Sequence, residues 1–280
     1  MDYSPLKIYS SLSVDALYSV ILSDYQKGFR FYGETHDIWE MTCVLKGRLG
    51  ITSGENVYIC EPYEVVVHPP GIFHTCWADG DTGYSCLTIS FTGQGLDYFL
   101  PFGKIILKEE EKSHIDWLAR EIPRIFVDSE FPPRVAEGVP KESIPRFKNM
   151  LELFILSLSA DKRESAKPTN SRNAPLFSAI SRYMHEHVCD SFDTAYICTM
   201  FGISRSTLKD MFHRFTGGGV MEYYHYLRIN HAVSLMSEGM SMSQISILMN
   251  FSSQNYFSSF FKRQTGFSPA EYRKQKLQGK

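Results

Sequence analysis

Two short segments carry side chains suited to reading an ordered array of hydrogen-bond donors and acceptors. The first holds Arg205, Ser206, Lys209 and Asp210; the second holds Gln254, Asn255, Ser258 and Ser259. Arg, Gln and Asn present paired groups that match base edges in a DNA major groove, and Ser reaches several edges. Arg214, Lys262 and Arg263 follow nearer the ends of the same segments, where phosphate contact is the natural role. One polar helix face alone would be a solvated surface. What raises the reading above that is duplication.

SRSTLKDMFHRFTG, beginning at Ser204, lies over SQNYFSSFFKRQTG, beginning at Ser253. At an offset of 49 residues Leu208 matches Phe257, Phe212 matches Phe261, and Arg214 matches Arg263. Thr216-Gly217 matches Thr265-Gly266, and Glu222-Tyr223 matches Glu271-Tyr272. A repeat of this kind marks one structural unit used twice. Ser204 and Ser253 are expected helix N-caps. Leu208, Met211 and Phe212, like Phe257, Phe260 and Phe261, are spaced to bury one face. Gly217 and Gly266 are expected to stop each helix. Before each cap comes a short apolar segment, AYICTMF or SQISILM, with a small inner residue, Cys198 or Ser246. A turn follows at Gly202 or Asn250, residues that tolerate a left-handed backbone. Short helix, tight turn and capped second helix make a helix-turn-helix.

VMEYYHYLRINHAVSLMSEG joins the copies and reads as a long amphipathic helix, with Leu227, His231 and Leu235 at four-residue steps. A rigid connector would hold the two reading helices about 34 Å apart, in successive major grooves. His231 reads as an ordinary packing or surface residue.

CTMFGISRSTLKDMFHRFTG, LRINHAVSLM and NFSSQNYFSSFFKRQTGFSPAEYR resemble the C-terminal domain of the AraC family of transcription regulators, over roughly residues 175–275. The resemblance implies two helix-turn-helix units, double-stranded DNA as partner, a homodimer, contact with RNA polymerase and an activator. This chain departs from the family pattern at Asn250, where Gly is usual, at Cys198 and Ser246, where Ala is usual, and at Ser259, where Arg is common.

Upstream the pattern changes. WEMTCVLKG, GRLGITSG, ENVYIC, EVVVH and YSCLTISF are short, rich in β-branched and aromatic residues, and bounded by turn residues. They predict a small antiparallel barrel or sandwich. Helices are expected over 109–128 and 143–160. In the second, Phe147, Leu151, Phe154 and Leu158 form a stripe that packs on the barrel, and Met150, Leu153, Ile155 and Leu156 widen it toward a partner surface. The fold class is α+β in two domains. A cupin-like ligand-sensing barrel spans 1–100, a helical dimerisation segment 101–160, a polar linker 161–174 and an all-α DNA-binding domain 175–280.

GETHDIWEMTCVLKG and VHPPGIFHT resemble the cupin barrels of the same family. The resemblance implies a donor set of Glu34, His36, Glu40 and His74, with Glu34 standing where cupins carry a first His. Such a mixed set suits a divalent metal. The preferred reading is a hydrogen-bonded remnant lining a ligand pocket, with no metal or other cofactor. Strand alternation then places Thr42 and Val44 beside Glu40, and Trp39, Met41 and Cys43 on the other face. His36, Glu40, Thr42 and His74 are the expected ligand contacts. A sugar or related polar metabolite is the effector class the resemblance implies.

Composition excludes other classes. Hydrophobic residues make up 43% of the chain and charged residues 21%, the balance of a globular protein. No signal peptide and no long apolar run is apparent, so a soluble, cytoplasmic protein without a membrane partner is expected. Six cysteines form no C-x-x-C pair and read as buried apolar residues. Residues 175–280 hold 11 Lys and Arg against 7 Asp and Glu, a mild basic excess consistent with DNA contact at that end. No G-x-S-x-G elbow, P-loop or G-x-G-x-x-G fingerprint suggests an enzyme. A metal-dependent cupin enzyme with a DNA-binding tail and an architectural DNA binder without effector are the alternatives. The residues leave the effector, the operator and the sign of regulation open.

Overall fold

The computed structural model describes residues 11–127, 132–159 and 173–277. Almost all of the expected 161–174 linker lies outside the described residues. The chain divides into two units, Met1–Asn170 and Ser171–Lys280.

The first unit contains β1 (Ser13–Tyr25), β2 (Arg30–Glu34), β3 (Trp39–Lys46), β4 (Leu49–Ser53), β5 (Asn56–Cys60), β6 (Glu64–His68), β7 (His74–Ala78) and β8 (Tyr84–Gln94). After these come α1 (Leu96–Phe99), β9 (Gly103–Ile106), α2 (Glu109–Ile125) and α3 (Ser143–Ser159). The strands form two antiparallel sheets rather than one closed ring, with orders β1-β8-β3-β6-β9 and β2-β7-β4-β5. All five strand segments singled out in the sequence are strands. The sheet runs past residue 100, because β9 pairs with β6. The long β1, which pairs with β8 along its whole length, was not anticipated. Its polar and apolar residues do not alternate cleanly, since one face meets the cavity and the other meets helices.

Alternation on β3 works as expected. Trp39, Met41 and Cys43 face one core, shared with Leu87, Ile89 and Phe91 of β8 and with α2 and α3. Val44 faces the other, shared with Leu49 and Ile51 of β4 and Tyr84 and Cys86 of β8. The first core includes Phe147, Leu151, Phe154, Ile155 and Leu158, so the α3 stripe packs on its own sheet. Leu153 and Leu156 remain exposed.

The second unit is helical throughout: α4 (Ala174–Glu186), α5 (Thr194–Phe201), α6 (Arg205–Thr216), α7 (Val220–Ser237), α8 (Met242–Leu248), α9 (Gln254–Thr265) and α10 (Pro269–Tyr272). A final helical turn covers Arg273–Leu277. The connector α7 departs from the sequence expectation. Tyr223, Tyr224, Leu227, Arg228, Ile229, Ala232, Leu235 and Met236 are all buried, which no single stripe accounts for. Tyr223 meets Phe177 and Phe212 at one end, while Ile229, Ala232 and Met236 join Phe257 and Phe261 at the other. A helix serving two cores on different sides has no one polar face. Among the described residues, no helix is long and apolar enough to cross a membrane.

Candidate DNA-reading helices and ligand cavity

The duplication extends to individual hydrogen bonds. Ser204 Oγ accepts from the Thr207 amide at 3.1 Å, and Ser253 Oγ from the Tyr256 amide at 3.1 Å. Thr216 Oγ1 donates to Phe212 O at 2.8 Å, and Thr265 Oγ1 to Phe261 O at 2.9 Å. Glu222 accepts from the Gly219 amide at 2.9 Å, and Glu271 from the Ser268 amide at 2.8 Å. Tyr223 and Tyr272 each set their rings 5.4 Å from Phe212 and Phe261. The matched pairs are thus caps, stops and ring contacts that hold α6 and α9 in one geometry.

The turns differ. Gly202 at φ 66° is followed directly by Ile203 and the Ser204 cap. Asn250 at φ 54° is followed by Phe251 and Ser252 before Ser253, so the second turn is one residue longer. Both residues are left-handed, as that bend requires. Ser246 is buried on α8. Cys198 is only half-buried, and Ile197 supplies the buried side chain of α5 instead.

Arg205, Ser206, Lys209, Asp210 and Arg214 are exposed on α6, and Gln254, Asn255, Ser259, Lys262 and Arg263 on α9. Ser258 is half-buried, one position round the helix from the polar ridge. Tyr256, passed over in the sequence, is 55% exposed and stands beside Gln254 and Asn255. Buried Arg228 was also missed. It donates Nη2 to Met249 O at the end of α8 and lies over the Phe251 ring, 4.2 Å from its centroid. That contact ties α7 to the second turn. Nothing in the sequence distinguishes it from a surface arginine on a helix.

In the first unit, sheet register assembles the other candidate group. Glu40 on β3 lies opposite His68 on β6 and Ser90 on β8. His74 on β7 lies opposite Glu34 on β2 and Ser53 on β4. His36, in the loop before β3, is held by the Gly71 amide donating to its carbonyl at 2.9 Å. The two sheets meet here. His74 Nε2 is 3.4 Å from Glu40 Oε1 and 3.7 Å from Glu34 Oε1, and His36 Nε2 is 3.5 Å from Glu40 Oε2. Ser90 donates to Glu40 Oε2 at 2.7 Å. His68 stacks on His74 with centroids 4.5 Å apart, and its Nδ1 meets Ser53 Oγ at 2.9 Å.

Burial works against a charged Glu40, but His36, His74 and Ser90 outweigh it and hold the carboxyl down to about 2. The same carboxylate pushes the His36 imidazole up. Burial pushes His68 down to about 3, so it is neutral. These groups line one end of a cavity of about 400 Å³ between the sheets, within the range of small-molecule sites. Thr42 also lines it and hydrogen-bonds Thr88 at 3.0 Å. Tyr25, Phe29, Phe31 and Tyr84 provide apolar and aromatic wall. The structure therefore brings all four expected ligand contacts, His36, Glu40, Thr42 and His74, to one cavity. It adds His68, Thr88 and Ser90. Alternation along YSCLTISF carries the signal for the last two.

Residues 17–107 match the AraC-like ligand binding domain, and residues 197–275 match a helix-turn-helix domain. The HTH-type transcriptional regulator YijO of Escherichia coli K12 is 29% identical over 135 residues, 47% of this chain and 48% of the relative; that match spans about half of each protein. The arabinose operon regulatory protein of Salmonella typhimurium is 25% identical over 255 residues, covering 83% of this chain and 82% of that one. A solved structure of ToxT from Vibrio cholerae with an unsaturated fatty acid bound aligns over 92% of this chain and 95% of that chain, at 17% identity and a TM-score of 0.37.

Proposed function

The chain belongs to the AraC family of transcription regulators, and from that premise we propose that it is a sequence-specific DNA-binding regulator switched by a polar small molecule held between its two sheets. The observation that carries the proposal is the repeated scaffold. Two helices with matching caps, stops and ring contacts each expose a polar ridge. A solvated face needs no such duplicated framing.

Within this reading Arg205, Ser206, Lys209 and Asp210 on α6, and Gln254, Asn255, Ser258 and Ser259 on α9, supply base-edge contacts. Lys262 and Arg263, like Arg214, meet phosphates. The effector contacts His36, Glu40, Thr42 and His74. A sugar or related polyhydroxylated metabolite suits donors and acceptors set against aromatic wall, and one relative is named for arabinose operon regulation. Effector binding shifts the balance between arrangements of the two units. A homodimer through the exposed Leu153 and Leu156 of α3 and contact with RNA polymerase complete the proposal, which assigns the chain no enzymatic role.

The test is footprinting of the full chain on the DNA upstream of its own gene, at moderate salt, with and without a panel of sugars. A protected site that responds to one sugar is the expected result; no protected site under any condition refutes DNA regulation. Gln254→Ala is expected to lose about 1–3 kcal/mol at a single base position and leave other positions unchanged. Equal weakening on all sequences would place Gln254 on the backbone instead.

A further inference from the structure

We propose that the effector of the cavity carries a protonated amino group, seated against Glu34 and Glu40 at the end where the two sheets meet. The inference rests on the reading of this cavity as an effector site and narrows it: a polyhydroxylated effector would be an amino sugar or amino polyol, not a neutral sugar.

Charge comes first. Glu34 and Glu40 both line the cavity, and among the described residues no Lys or Arg does. Glu40 is 8% exposed, and its neighbours are His36, His74 and Ser90, none of them a permanent cation. A carboxylate taken out of water needs an opposite charge or a full set of donors. With His36 protonated, as the Glu40 carboxylate favours, the two carboxylates still leave the lining net negative. An anionic ligand would add like charge here, and a neutral one would leave the imbalance as it stands.

Hydrogen bonding agrees. His36 Nδ1 contacts Ile38 O at 3.1 Å, and His74 Nδ1 contacts Ile72 O at 3.0 Å. A carbonyl only accepts, so each Nδ1 carries the proton, and in the neutral ring Nε2 is an acceptor. Both Nε2 atoms are buried and neither has a hydrogen-bond partner. They stand 3.5 and 3.4 Å from the Glu40 oxygens, so acceptor faces acceptor. The Ser90 and Ser19 hydroxyls have no proton to spare, because Ser90 donates to Glu40 and Ser19 must then donate to Ser90. A buried acceptor left unmet costs free energy. An ammonium has three N–H donors and accepts nothing. One acceptor atom from each of Glu34, His36, Glu40 and His74 lies within 4.8 Å of every other, close enough for one such group to answer several at once. The wall suits the rest of the ligand. Tyr25, Phe29 and Tyr84 form one ring cluster beside the cavity, a surface that takes an apolar body or the charge of a cation.

The test uses the full chain in chelator, with the melting transition of the first unit, read by tryptophan fluorescence, as readout. The probes, at millimolar concentration, are glucosamine, galactosamine and phenethylamine, their neutral counterparts glucose, galactose and N-acetylglucosamine, and the acids glucuronate and phenylacetate. At least one amine should raise the transition temperature, and its neutral and acidic counterparts should not. Glu34→Gln, at the solvent edge, should weaken binding of that amine by about 10–100-fold. Glu34→Lys, which supplies a tethered ammonium, should abolish it. Stabilisation by a neutral sugar or an acid equal to that by its amine overturns the proposal and leaves the effector cavity standing. So does amine stabilisation that Glu34→Gln leaves unchanged, or that needs added Zn(II). No stabilisation by any probe refutes the effector cavity and this inference together, while footprinting on the same preparations reports separately on DNA reading.

Discussion

Replacing Arg228 tests how the second reading helix is held. The side chain is 7% exposed. Its Nη2 donates to Met249 O, its guanidinium lies 4.2 Å from the Phe251 ring centroid and 5.7 Å from that of Phe260, and its Nε is unpaired. Burial pushes its pKa down. A hydrogen bond from a charged donor contributes about 1.5–3 kcal/mol, and a desolvated cation over an aromatic ring up to about 2 kcal/mol. Burial of the aliphatic stem adds about 0.8 kcal/mol per methylene. Desolvation of the guanidinium offsets several kcal/mol of this. The net expectation is a loss of about 2–4 kcal/mol for Arg228→Ala, and about 1–2 kcal/mol for Arg228→Met, which keeps the stem and relieves the desolvation.

The assay exploits a convenience of the sequence. All 3 tryptophans, Trp39, Trp77 and Trp117, lie in the first unit, whereas the second is helical throughout. Urea unfolding followed at 222 nm should therefore shift while the tryptophan fluorescence transition stays in place. A loss below about 0.5 kcal/mol for Arg228→Ala, or equal losses for Ala and Met, would refute the reasoning. If the contact also sets the position of α9, footprint protection at the half-site met by α9 should weaken more than that at the half-site met by α6.

Three further outcomes follow from local geometry. Gly50→Ala would place a Cβ 2.1 Å from Trp77 Cε2, so it should destabilise the first unit by about 2–3 kcal/mol and shift the tryptophan emission. Asn250 sits at φ 54°; Asn250→Ala should cost about 1–2 kcal/mol at 222 nm, and Asn250→Gly should be close to neutral. Because burial holds His68 down to about 3, its proton is taken up by the unfolded chain alone as pH falls. Its contribution to stability is complete above about pH 6.5 and declines toward pH 3, by up to about 1.4 kcal/mol per pH unit; His68→Gln should flatten that part of the stability profile in metal-free protein.

Much of the DNA-reading half was legible because its information is local. A helix cap involves residues three apart, a stop needs one left-handed residue, and a buried face repeats every three or four positions. Written twice, these signals reinforced each other, and the matched pairs proved to be the capping and ring contacts themselves. The misread features there were non-local. The α7 helix looked amphipathic because pattern reading assumes one core, whereas it serves two, and Arg228 looked like any exposed arginine until α8 and Phe251 closed over it.

The sensor half divides the same way. By itself the sequence determined the strands with clean alternation, the sides on which Glu40, Thr42 and Val44 fall, and the motif residues around His36 and His74. Only the tertiary structure decided that β1 and β9 complete the first sheet, that His68 and Ser90 flank Glu40, and that two imidazole nitrogens end up buried without hydrogen bonds. Those facts depend on strand register and on how two sheets face each other. Period-two alternation reports which face a side chain takes, but it carries no information about which strand will lie opposite or what atoms will meet across the gap.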